Sequence, residues 1–319
     1  MWLICSLLAT LAWAFEEMYL KIGNDEGEKL SEYKTSVCFG LVMAVAGLIL
    51  WPFSDSGNFL SLITENTKFL IVPVMYALTL AFSIISYRYL NMALIVSLEG
   101  VSGALATVLL AVWYFAVDKM DSFWQEVSET DIWATAVIIL AIVVLAIVQN
   151  MIHSGRIKQI FQTHNYGWWV FIFPLAYLLG DTFDTVICGA IMNEDLGGDL
   201  SPVDYDILYA LMFAVVGLVA WLIMYFRDRV VYNPFAKAEL PKLKAAVLEG
   251  FGQNSYVFAM AMNPLFAAPL TSAYPIISVL LAHFVLKERM LKVQWFCVIC
   301  ILAAIVTMGI TEGLGYLGE

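Results

Sequence analysis

Six acidic residues interrupt the long apolar runs of this sequence: Glu16, Glu17, Glu99, Asp181, Asp184 and Glu249. A charged carboxyl at the centre of a membrane helix costs about 2.5–3.5 kcal/mol on insertion scales, so each needs a partner, a proton or a task. Asp181 and Asp184 are the hardest to explain as structural, because their apolar run carries no Lys or Arg. Pro174, Tyr177, Asp181, Asp184, Thr185 and Cys188 recur at helical spacing and form one stripe. The stripe aligns a ring, two carboxyls and a hydroxyl, while Pro174 leaves a backbone carbonyl without its helical donor. A carboxylate that exchanges a proton for a cation is the simplest coupling device for a transporter; the alternative is a hydrogen-bonded patch between helices.

The other acids have competing readings. Glu16 and Glu17 lie about one helical turn from Lys21. Glu99 either faces a cavity or pairs with Arg88. Glu249 is expected near an interface with Lys242 and Lys244 as partners, yet it shares a face with Gln253 and Tyr256, and Asn254 adjoins them. Gly250 and Gly252 on the same run also fit close helix packing. Trp13, Tyr76, Tyr177, Tyr256 and Tyr274 lie within apolar runs, mostly beside these polar positions. Aromatic rings next to carboxylates suit an ammonium group through cation–π attraction, with ordinary packing as the alternative. Trp2, Trp51, Trp124, Trp168, Trp169 and Trp295 are expected in interfacial belts, and His283 is expected as a packed core histidine.

The elements that position these residues follow from composition. The 319 residues are 62% hydrophobic and 13% charged, with a mean hydropathy of +0.83; a soluble domain runs about 45–50% apolar and about 25% charged. That excludes a soluble enzyme and a disordered chain, and a net charge of −11 disfavours nucleic acid. The runs are continuous rather than alternating, which argues against a porin-like barrel. Apolar stretches at about 1–20, 36–53, 69–87, 90–117, 132–150, 168–192, 207–226, 245–262, 265–286 and 293–313 predict ten membrane helices. The first is read as a retained span, since it lacks a positive n-region. Cys5, Cys38, Cys188, Cys297 and Cys300 sit in apolar runs as small hydrophobes. Cys297 and Cys300 have no accompanying His or second CxxC, so neither metal nor cofactor is expected.

All but Lys68 and Lys119 of the 16 Lys and Arg fall after odd-numbered spans. The positive-inside rule then puts both termini outside the cell membrane, with the acidic loops around Asp118–Asp131 and Glu194–Asp206 on the same outer side. The chain also reads as two five-span copies. Leu11-Ala12-Trp13 aligns with Leu175-Ala176-Tyr177, which sets Glu17 opposite Asp181. Ala93 and Ser97-Leu98-Glu99-Gly100 align with Ala268 and Ser272-Ala273-Tyr274-Pro275. An odd number of spans per copy inverts the second copy, an architecture of transporters with a midplane site. The expected halves are residues 1–150 and 168–319, with a cytoplasmic linker at 151–167.

The stretch from Ala267 through Pro269, Thr271, Ser272, Tyr274 and Pro275 to Lys287-Glu288-Arg289 resembles the second repeat of EamA-type drug/metabolite transporters. Trp13 and Lys21 match the family's Trp-Gly…Lys spacing in the first span. Ala14 stands where the family has Gly, Lys287 replaces the Gly before Glu288, and positions 16 and 17 are both acidic. The resemblance implies an all-α membrane protein of ten helices in two inverted five-helix repeats, with a central substrate cavity and alternating access. The resulting expectation is a proton-coupled secondary transporter, an antiporter of a small organic cation or amine-bearing metabolite. Glu17 and Asp181 would be the coupling pair, assisted by Glu16 and Asp184. Trp13, Tyr177 and Tyr274 would enclose the ligand, with Glu99, Tyr76, Gln253, Asn254 and Tyr256 in the cavity. An exporter or facilitator of amino acids or other neutral metabolites, with structural acids, is the alternative. The expected partners are the substrate, protons and lipid, not nucleic acid, in a monomer or homodimer. An enzyme is disfavoured: Gly180-Asp181 and Tyr205-Asp206 only approach intramembrane aspartyl protease motifs and stand in the wrong order.

Overall fold

The computed structural model describes residues 1–24, 27–89, 92–119, 129–163, 172–285 and 291–318. Among these residues it is helical, with no strand. The principal helices are α1 (Trp2–Gly23), α2 (Ser31–Leu50), α3 (Phe59–Glu65), α4 (Ile71–Tyr89), α5 (Met92–Glu99), α6 (Val101–Ala116) and α7 (Glu129–Thr163). They continue as α8 (Ile172–Met192), α9 (Pro202–Arg227), α10 (Leu240–Met262), α11 (Pro264–Thr271), α12 (Tyr274–Phe284) and α13 (Lys292–Gly318). Among the described residues six segments are long and apolar enough to cross a membrane: Trp2–Gly23, Ser31–Phe53, Thr67–Tyr87, Ile172–Met192, Pro202–Arg227 and Pro264–Leu281. Val101–Ala116, Ile132–Leu145 and Lys292–Met308 are shorter apolar helices. The expected eighth span, α10, is long but interrupted by Lys242, Lys244, Glu249 and Gln253.

Chain ends and turns follow local chemistry. Ser201 caps α9 by accepting from the Asp204 amide, and Pro202 opens the helix where no donor is needed. Asn263 caps α11 in the same way, accepting from the Phe266 amide just before Pro264. Two expected spans are interrupted: the fourth at Gly100, between α5 and α6, and the ninth after Thr271, between α11 and α12. The interruptions meet, because a Cβ on Gly100 would lie 2.4 Å from Pro275 Cγ. Helix α7 also runs well into the segment expected as a linker.

The faces are arranged for a lipid solvent. Helix α1 exposes Leu8, Leu11 and Phe15 and buries Ser6, Thr10, Glu16 and Glu17; α8 exposes Leu175, Leu179 and Phe183 and buries Asp184 and Thr185. Polar groups inside and apolar groups outside is the inverse of a water-soluble helix. Helix α1 packs along α10, α4 along α8, α2 along α9 and α7 along α13, while α6 crosses α11. At the α2–α9 crossing, a Cβ on Gly40 would sit 2.7 Å from Gly217 Cα, and one on Gly217 would sit 2.8 Å from Gly40 Cα. Only glycine at both positions permits that approach.

One end of the bundle is tied by charge. Lys242 Nζ, on a side chain only 2% exposed, lies 2.8 Å from Glu28 Oε2 and 2.8 Å from Glu239 Oε2. Lys34 Nζ pairs with Glu28 Oε1 and lies 3.6 Å from Glu239 Oε1. The Tyr232 hydroxyl donates to Glu239 Oε2 at 3.2 Å. Burial alone would raise the Glu28 carboxyl, but hydrogen bonds from Lys242 and Lys34 outweigh it and hold the group below its ordinary value. Burial, with Cys38 and Glu239 beside it, pushes the Tyr232 phenol up. The network joins the α1–α2 loop to the start of α10, and Asn24 Oδ1 braces that loop by accepting from Ser31 at 2.8 Å and Thr35 at 3.0 Å.

Candidate functional site

The helices α1, α4, α8, α10, α11 and α12 converge on a cavity lined by Trp13, Glu16, Glu17, Tyr76, Leu80, Tyr177, Asp181, Asp184, Thr185, Gln253, Tyr256, Thr271, Ser272 and Tyr274. Ten of the twelve residues singled out in the sequence therefore line one hollow. Glu99 is fully buried close behind it, near Glu17 and Asp181, but is not among the lining residues. Asn254 is not a lining residue either, and its Nδ2 donates to Gly250 O within α10. The cavity is narrow, with ≈ 20 Å³ open to the centre of a water molecule. That holds about one water and no organic ligand, so a substrate needs the walls to part.

Each wall has its own chemistry. On α1 and α4, the Tyr87 hydroxyl donates to Glu17 Oε2, and Lys21 Nζ donates to the Tyr87 carbonyl at 2.8 Å. On α8, Asp181 Oδ2 accepts from Ser102 of α6, and Thr182 Oγ1 donates to Ser102 O at 3.3 Å. Asp184 is 2% exposed, and beside it Tyr256 OH donates to Thr185 Oγ1 at 3.0 Å. On α10 and α12 the wall is aromatic: Trp13 lies 5.1 Å from Tyr256 and 6.3 Å from Tyr274, centroid to centroid. Gly252 makes room for that indole, since a Cβ there would come within 2.8 Å of Trp13 Nε1. Tyr76 spans the remaining side, 6.5 Å from Tyr177 and 5.4 Å from Tyr209.

Glu249 corrects a sequence expectation. It is fully buried, accepts from Tyr209 OH at 3.3 Å and lies against Glu16, rather than pairing with Lys242 or Lys244. Seven residues of helix separate positions 242 and 249, a rise of about 10 Å. Lys242 is held by Glu28 and Glu239, and Lys244 Nζ sits 5.0 Å from the centroid of the Tyr19 ring. The alternative pairing of Glu99 with Arg88 lies outside the described side chains. Thr271 and Ser272, read in the sequence only as part of the family stretch, also line the wall, at the end of α11 and in the interruption that follows it. Asp206, expected as a loop charge, is 3% exposed on the second turn of α9. Its signal was available: Ser201-Pro202 is a helix start, which puts residue 206 inside the helix.

Among the described residues no Lys, Arg or His lines the cavity. Several carboxyls held together in a low-dielectric interior without a basic partner repel one another unless protons or bound cations compensate them. Among the described residues no three His, Cys, Asp or Glu side chains are arranged to hold a metal ion. The arrangement therefore offers carboxyls, hydroxyls and ring faces around one small space.

A model described as the EamA-like transporter family matches residues 198–310, from just before α9 through most of α13. The resemblance read in the sequence holds over that stretch. EamA-type proteins are membrane transporters of the drug/metabolite type rather than enzymes, and the apolar helices agree with a multi-pass membrane protein. No curated protein matches the chain.

Proposed function

With the EamA-type match over residues 198–310 as premise, we propose that this chain is a secondary transporter that exchanges protons for a small organic cation or an amine-bearing metabolite. The observation that carries this reading is the cavity itself: Glu16, Glu17, Asp181 and Asp184 face a common hollow with five aromatic side chains and, among the described residues, no basic one. In the protonated state the acids are neutral and the hollow is stable when empty. A cationic ligand replaces the protons and is met by carboxylates and ring faces. Glu17 and Asp181 form the coupling pair, with Glu16 and Asp184 assisting; Trp13, Tyr177 and Tyr274 enclose the ligand. Anionic substrates would meet repulsion here.

Alternating access in this reading uses ten spans as two inverted five-helix halves. Its support is a packing pattern that survives exchange of each span for the one five places on. The α1–α10 pair maps to α8–α4, and the α2–α9 and α7–α13 pairs map to themselves. Both interrupted spans also map to each other. The basic residues then lie in the cytoplasm and both termini outside the plasma membrane, so the Lys242 network closes the cytoplasmic end.

Purified protein in proteoliposomes tests the assignment. Asp181→Asn and Glu17→Gln, verified as folded by thermal unfolding, should each lose pH-gradient-driven uptake across a panel of amines. Unchanged uptake in both removes the coupling role. The second reading, a transporter of neutral metabolites with structural acids, is favoured by the hydroxyl donors already on Glu17 and Asp181. It expects the same substitutions to alter stability and leave proton dependence intact.

A further inference from the structure

Two cavity-lining groups answer a different need from the carboxylates. Gln253 is 2% exposed and Tyr274 is 6% exposed. Among the described residues neither Gln253 Nε2 nor Tyr274 OH has a hydrogen-bond partner, and both residues line the cavity. Buried donors of this kind are normally satisfied. The contrast within the same wall is direct, since Tyr256 OH is satisfied by Thr185 at 3.0 Å. Gln253 and Tyr256 lie three residues apart on one face of α10, and Trp13 stands against both Tyr256 and Tyr274. The hollow thus has an acceptor side, built from the acids of α1 and α8, and a donor side, built from an amide and a phenol on α10 and α12.

We propose that the ligand carries, besides its ammonium group, an uncharged hydrogen-bond-accepting oxygen, a hydroxyl or an amide carbonyl, that Gln253 and Tyr274 receive. This rests on the cation-transport reading and narrows it. A quaternary ammonium compound without oxygen is met by charge and ring faces alone, because it has no N–H for the carboxylates and no acceptor for the amide. A carboxylate on the ligand is excluded by the acids around it, with no lining Lys or Arg to offset them. An amino alcohol or aminoamide satisfies both sides at once.

The test is equilibrium binding to the full purified chain, by calorimetry or thermal shift, of three probes: butylamine, 3-aminopropan-1-ol of the same heavy-atom count, and the N,N,N-trimethyl form of butylamine. The amino alcohol should bind at least about tenfold more tightly than butylamine, a free-energy difference of ~1.4 kcal/mol, and the trimethyl form should bind most weakly. In a Gln253→Leu, Tyr274→Phe double variant the amino alcohol should bind within about twofold of butylamine, both measured on that variant. Equal affinity of the two primary amines for the unaltered protein overturns the oxygen subsite without needing any variant, as does a preference that survives in the double variant. Failure of all three probes to bind, in protein that is folded, overturns the cation reading beneath it.

Discussion

The acids at the end of the bundle and the acids at its middle are the same residue types in opposite circumstances. Glu28 and Glu239 are each met by lysine, with Lys242 Nζ 2.8 Å from both. Glu17 and Asp181 accept from the hydroxyls of Tyr87 and Ser102, and among the described residues no basic side chain lines their hollow. Paired charges hold a geometry, because removing either partner strands the other in a poor solvent. Carboxyls without cationic partners are left to be compensated by protons or bound cations, which is what the proposed exchange requires of them. The difference teaches that burial of an acid does not by itself mark a binding site; what faces it does.

The comparison can be broken most forcibly at Lys242. Replacing it by Met leaves Lys34, the less buried of the two lysines, to compensate both Glu28 and Glu239, and the expected loss of stability is about 3 kcal/mol, the low end for breaking a buried pair; denaturant unfolding in detergent checks it. Glu249→Gln in the other region keeps an oxygen for Tyr209 and removes a charge beside Glu16. Stability should change by less than about 1 kcal/mol, while affinity for primary amines should fall about tenfold, measured by calorimetry. Tyr256→Phe removes the bond to Thr185 and should cost about 1 kcal/mol, read from the unfolding midpoint.

Acidity separates the regions by the smallest effect. The Glu28 carboxyl is lowered from 4.5 in the folded protein, so its contribution to stability is fully present above that value. It is lost as pH falls through the lowered one. The stability difference between the natural protein and Glu28→Gln should be constant from neutrality down to about pH 5 and shrink below it. Thermal unfolding across that range is the measurement, and a difference that instead grew on acidification would sink the pairing argument.

Much of the middle region was readable in the sequence because hydropathy contrast is local: an acid inside an apolar run stands out wherever the helix lies. The stripe on α8 needed only helical periodicity, and Tyr177, Asp184, Thr185 and Cys188 are all buried. The end region was not readable. Lys242 reaches Glu28 across 214 positions, and nothing local distinguishes that partner from Glu249, seven residues away. Glu249 was assigned to the wrong lysine for this reason. The interruptions at Gly100 and after Thr271 were also hidden, since both lie within uniformly apolar stretches whose periodicity continues across them. The second half was the more legible, with the family pattern matching residues 198–310, while the first half declares itself mainly through Glu16, Glu17 and Trp13.

The bare crossing of Gly40 and Gly217 has a mechanical consequence. Where side chains interlock, tilting one helix against another means prising knobs out of sockets. Where two backbones touch directly, they can rock with no rotamer to reset. At the α2–α9 crossing even one methyl group at either glycine would therefore work as a wedge between the two backbones.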